Sequence, residues 1–125
     1  MKQSDIIAAY KAADELCKQK IKSPKVANVF YIVKNLLKPQ YDFQVEREKA
    51  VFDKYQFTQT EDGLKFETQE LADQFAAEYS EEIKQLSEMD VDLDFKKQTV
   101  NLSEQFEISG DDIGALSPFI NFVEE

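Results

Sequence analysis

The sequence predicts a mainly helical α+β fold: an antiparallel helical hairpin with an N-terminal helix and a small β element. Three observations carry this. From Ser23 to Tyr55 apolar side chains recur every third or fourth position, at Val26, Val29, Phe30, Val33, Leu36, Leu37, Tyr41, Val45, Val51, Phe52 and Tyr55, which returns them to one helix face. The chain has only three Gly and three Pro in 125 residues, so long elements with short connections are expected. At Asp90 the period changes from helical to alternating, the pattern of a strand with one wet face. A hydrophobic content of 42% and 125 residues fit one folded domain, residues 1–125.

In chain order, residues 3–22 read as a first helix, with Ser4 as cap and Lys18, Lys20 and Lys22 near its end, where cations complement the macrodipole. Its stripe, Ile6, Ile7, Tyr10, Ala13, Leu16, Cys17 and Ile21, is thin and suits close packing on a larger neighbour. That neighbour is the spine over 24–55, opened by Ser23 and Pro24, a capping oxygen followed by a proline at the first helical position. Pro39 removes a hydrogen bond and clashes with the preceding turn, so a kink or a split is expected near it. Glu61-Asp62-Gly63, between Tyr55/Phe57 and Leu64/Phe66, predicts a short hairpin with strands near 56–58 and 63–66.

Thr68 opens a third helix over 68–87, with Leu71, Phe75, Tyr79, Ile83 and Leu86 on one face and an acidic opposite face. It should fold back on the spine. Asp90-Val91-Asp92-Leu93-Asp94-Phe95 predicts a strand over 90–95, and 99–102 a second, to be paired with the Phe57/Leu64 segment, with each other or with another molecule. Ser109 opens a short helix over 109–117 that Pro118 stops. The apolar tail after it either tucks onto the core, the favoured reading, or serves as a sticky peptide for a partner.

The composition excludes much chemistry. There are no histidines and a single cysteine, Cys17, so Cys-His and Ser-His nucleophiles, the usual zinc sets and an internal disulfide are all unavailable. Gly63, Gly110 and Gly114 do not approach a phosphate-binding loop. Asp90-x-Asp92-x-Asp94 begins like a calcium loop, but Phe95 stands where the sharp turn needs glycine, and Asn101 where a bidentate Glu belongs. It reads as a solvated strand face. Acids are too abundant for pairs among them to indicate catalysis. Arg47, the only arginine, reads as an exposed helix residue pairing with an acid of the third helix. No catalytic residue, cofactor or metal is expected.

Charge is uneven. Residues 1–56 carry 11 Lys/Arg against 7 Asp/Glu, and residues 57–125 carry 4 against 18, which together make the net −10. The basic half can pack on the acidic half, or the acids can face a basic partner. Direct phosphate binding is disfavoured, since Lys18, Lys20, Lys22 and Lys25 make only a small basic patch. Neither a signal-peptide pattern nor a membrane-length apolar run is present, so a soluble, cytoplasmic protein is expected.

The order of Glu46-Arg47-Glu48, Lys54-Tyr55, Glu61-Asp62-Gly63, the acidic helix running into Asp90–Phe95, and Leu116-Ser117-Pro118-Phe119-Ile120 resembles a group of small tailed-phage and prophage proteins, mostly of unknown function, over roughly residues 24–123. The resemblance implies a phage or prophage gene in a bacterial cell and supplies no catalytic residues. The function expected is a non-enzymatic interaction module that binds a protein partner or itself, without direct nucleic-acid or membrane contact. An acidic mimic of DNA that blocks a host nucleic-acid-binding protein is the alternative. The first and third helices are expected to cover most of the spine from Val26 to Tyr41, leaving Val45 to Tyr55 and the β element for the partner, with Val45, Phe52, Tyr55, Phe57, Phe119 and Phe122 as contact residues.

Overall fold

The computed structural model describes residues 1–103 and 106–124. The fold is mainly α with two small sheets of two strands each, an α+β arrangement. Helix α1 spans Gln3–Cys17 and α2 spans Pro24–Asp53. A hairpin follows, β1 (Phe57–Thr60) and β2 (Gly63–Phe66), then α3 (Gln69–Glu88), β3 (Gln98–Asn101), α4 (Gly110–Leu116) and β4 (Ile120–Val123).

Helix α2 begins where the sequence places it: the Ser23 hydroxyl accepts from the Val26 N–H at 3.3 Å, with Pro24 in the first turn. It then runs through Pro39 as one helix of 30 residues, so the split near residue 39 is not formed. Pro39 is exposed, which puts its ring and the carbonyl it leaves unbonded on the wet side. Val33 and Leu37 before it are buried in the core, and Tyr41 after it packs there. Helix α1 stops at Cys17 and not at residue 22. A helix to 22 would leave one residue for reversing direction before α2, whereas Lys18–Ser23 provides six.

The two helices are antiparallel. Gln3 bonds to Gln40 and Gln44, Tyr10 stacks on Tyr41 with ring centroids 4.2 Å apart, and Lys34 meets Asp14 at 2.9 Å. Their shared core holds Ile6, Leu16, Phe30, Val33 and Leu37, closed from the other side by Val100, Leu116, Phe119 and Ile120.

No strand forms over 90–95. Among the described residues this segment makes one isolated bridge, Lys2 with Asp90, and two main-chain bonds at Val91, whose N–H donates to the Met1 carbonyl at 2.8 Å and whose carbonyl accepts from the Met1 ammonium at 3.4 Å. The alternation is nonetheless real: Asp90, Asp92 and Asp94 are exposed while Val91, Leu93 and Phe95 pack on the core. An extended backbone laid across helices yields the same two-residue period as a strand in a sheet, since the period follows from the extended geometry and not from a ladder. The 99–102 expectation is met by β3, but its partner is β4, in parallel register with Val100 opposite Phe122. The connection between these parallel strands carries α4, as a parallel pair requires. The tail therefore tucks in, and Phe119 is 1% exposed.

Candidate interaction surface

Beyond Gln44, α2 leaves the main core and becomes half of an arm. Helix α3 returns along it, antiparallel, with Arg47 against Glu82 at 2.5 Å, Tyr79 donating to Glu48 at 2.8 Å and Lys54 against Glu78 at 2.5 Å. The coverage is thus the reverse of the sequence expectation for this end of the spine: α3 lies over Arg47 to Tyr55, and α1 covers the first half of α2. Arg47 does what its exposed-helix reading implies, pairing with an acid of α3.

The arm has its own aromatic cluster. Phe52 meets Phe75 at 5.1 Å, Tyr79 at 5.3 Å and Phe57 at 5.8 Å between centroids, and Phe75 meets Phe66 at 5.2 Å and Tyr55 at 5.6 Å. These edge-on and tilted geometries are the ones aromatic quadrupoles favour. Of this group only Phe75 is buried; Phe52, Tyr55, Phe57, Phe66 and Tyr79 are half-exposed. Gly63 lets the hairpin close, since its φ of 113° is the left-handed backbone that a side chain resists and Glu61 and Asp62 have no positive φ.

Charge surrounds the rings. The Glu78 carboxylate accepts from Lys54 Nζ and from the Tyr55 hydroxyl at 2.6 Å, and these bonds hold its pKa below the usual glutamate value. The same bond raises Tyr55, while Tyr79 is raised first by burial and then by its bond to Glu48. Three shallow concavities open on the arm: one of about 610 Å³ on the hairpin, between Phe57, Thr58, Lys65 and Phe66, one of about 470 Å³ between Lys54, Tyr55, Glu67 and Leu71, and one of about 290 Å³ between Val45, Glu48, Lys49 and Phe52.

Of the residues expected from sequence to meet a partner, Val45, Phe52, Tyr55 and Phe57 come together on this arm, with Val45 the most open at 42%. Two do not. Phe119 is a core residue, 4.8 Å from Phe95, and this corrects its assignment; Phe122 is half-buried against the same core, far along the fold from the arm. A hydrophobic segment does not reveal that it will be sealed by a parallel strand partner 22 residues upstream. Sequence reasoning also missed Phe43 at 41% exposure and Phe66. Phe66 had a usable signal, since in the antiparallel hairpin it falls opposite Phe57.

Among the described residues no group of three or more His, Cys, Asp or Glu side chains is placed to hold a metal ion. Burial raises the Cys17 thiol pKa, which lowers its reactive thiolate fraction. Comparisons with protein-family models, curated proteins and solved structures found no match.

Proposed function

We propose that this chain is a non-enzymatic protein-interaction module of phage or prophage origin, working in the bacterial cytoplasm, and that its arm makes the contact. One observation carries the reading. An aromatic cluster is left half-open along one arm, with Val45 exposed beside Phe52. Partly exposed, rigidly packed aromatics bury large areas at small entropic cost when a partner arrives. Provenance rests on the sequence motifs alone. Among the described residues no helix is long and apolar enough to cross a membrane.

The test is binding by arm variants that stay folded. Val45→Asp and Val45→Arg should each weaken capture of a partner from infected or prophage-carrying cells by tenfold or more, on the order of 1.4 kcal/mol per tenfold. Equal capture by these variants and the parent would remove the arm from the reading.

The acidic-mimic alternative has one observation in its favour. Asp90, Asp92 and Asp94 are exposed along one extended segment, and Glu70, Asp73, Glu81 and Glu88 are exposed on α3. It requires partner binding that weakens steeply with salt, whereas an aromatic contact is nearly salt-insensitive.

A further inference from the structure

We propose that the chain associates with further copies of itself head to tail, the acidic hairpin tip of one molecule seating in a lysine-bordered apolar groove at the opposite end of the next. This rests on the interaction-module reading and adds to the arm contact a separate surface at which the partner is a second copy.

The groove lies where α1 ends and α2 begins. It has a volume of about 460 Å³ and is lined by Leu16, Cys17, Ile21, Pro24, Ala27 and Tyr31 among others. Tyr31 is 59% exposed, the most open of the large hydrophobic side chains. Residues 16–31 contain four lysines, Lys18, Lys20, Lys22 and Lys25, and no acid, and the exposed Glu107, whose backbone bonds to Gln19 of the groove wall, brings one acid to set against them. Lys18 is engaged by Asp14 and Glu15, whereas Lys20, Lys22 and Lys25 are exposed with no ion pair among the described residues.

The tip carries the opposite features. Glu61 and Asp62 form the turn and are exposed, and Leu64, directly after Gly63, is 38% exposed. From 57 to 70 the acids are Glu61, Asp62, Glu67 and Glu70, against a single cation, Lys65. One exposed leucine behind two carboxylates is the chemical complement of an apolar groove bordered by lysines.

Self-filling is impossible. Tyr31 and Asp53 lie on one unbroken helix, which separates them by about 33 Å at 1.5 Å per residue, and the hairpin starts with Phe57 against Phe52, from which a four-residue strand reaches only about 13 Å. The two ends of the molecule are complementary but cannot meet within one copy. Joining them between copies leaves a free tip and a free groove at the ends of every assembly, so association is heterologous and does not stop at two unless a ring closes.

Sedimentation velocity on the full chain tests this. The parent should show a weight-average mass that climbs with concentration past that of a dimer, and raising ionic strength from about 0.05 to about 0.5 M should weaken association by about tenfold or more. Tyr31→Asp, with a dead groove, and Leu64→Asp, with a dead tip, should each be monomeric while keeping the parent circular dichroism. Mixed in equal amounts they should form a one-to-one dimer and nothing larger, because one intact tip meets one intact groove. A parent that stays monomeric to near-millimolar concentration overturns the proposal, as does a mixture that stays monomeric, or a dimer that survives in either variant alone, which would mean a two-fold interface elsewhere. The interaction-module reading fails separately, through capture by the Val45 variants equal to that of the parent.

Discussion

At the scale of single residues, Gln3 shows how a polar group comes to be buried. Its amide nitrogen donates to the Gln40 carbonyl at 3.0 Å and to Gln44 at 3.3 Å, which ties the start of α1 to the middle of α2, but its own oxygen is buried without a partner. Losing a neutral hydrogen bond costs about 1 kcal/mol, while a buried unpaired acceptor costs about 1–3 kcal/mol. Gln3→Met, which keeps the volume, should therefore leave the denaturant midpoint unchanged or slightly higher, whereas Gln3→Ala should lower stability through its cavity. A Gln3→Met protein more than about 2 kcal/mol less stable would show that the oxygen is satisfied. Phe119 sits at the same scale. Because it is a core side chain, Phe119→Ala should cost about 3–5 kcal/mol in chemical unfolding without any specific effect on partner binding in the folded fraction. Glu78 provides a pH signature. Its pKa is lowered in the folded arm by Lys54 first and Tyr55 second, so its stabilising contribution is complete above the unfolded glutamate value and is lost as pH falls through the lower, folded value. Near-ultraviolet circular dichroism of the arm tyrosines should fall off on the acid side, and Glu78→Gln should flatten that part of the curve.

Among the elements, α2 and the hairpin make opposite use of the two residues that usually punctuate a chain. Pro39 stands inside a 30-residue helix because tertiary packing before and after it outweighs the local cost, with the ring turned to solvent. Pro39→Ala should raise the unfolding free energy by about 1–3 kcal/mol, most of the propensity gap between the two residues; an unchanged midpoint would mean that the helix has already relaxed around the ring. Gly63 is required for the opposite reason. A Cβ there meets nothing within 4 Å, so Gly63→Ala isolates backbone strain at φ 113° and should cost about 1–2 kcal/mol, read as faster amide exchange confined to 57–66. The strand expected over 90–95 shows the limit of periodicity as a signal. Residues 90–95 alternate in burial as a strand does, yet they pack by side chains onto helices, and nothing in the alternation states whether a neighbouring backbone will be there to pair.

For the whole molecule, the chain divides between a well-sealed core and an arm that is sealed only on one side. The core gathers α1, the first half of α2, β3, α4 and β4; the arm joins the rest of α2 to α3 and the hairpin through aromatics that remain half-wet. Native-state hydrogen exchange should reflect this, with amides of 69–80 opening at lower free energy than those of α1. The charge asymmetry is only partly neutralised inside the molecule. Arg47–Glu82 and Lys54–Glu78 join the basic half to the acidic half, while the pairs of Lys18, Lys34 and Lys38 stay within residues 1–56. Much of the acidic character therefore faces outward.

The sequence by itself determined what depends on local geometry and side-chain type: the helix starts at Ser23, Thr68 and Ser109, whose oxygens all accept capping bonds, the turn at Glu61-Asp62-Gly63, and the helical face of α2. Only the tertiary structure decided the end of α1, the unbroken passage through Pro39, the parallel pairing of β3 with the tail, and which aromatics stay open. The first depends on the length of chain needed to turn back into α2, and the others on groups distant in the chain that compete for one buried surface. Helical period identifies the face that must be covered, but which segment covers which part of it is settled by packing.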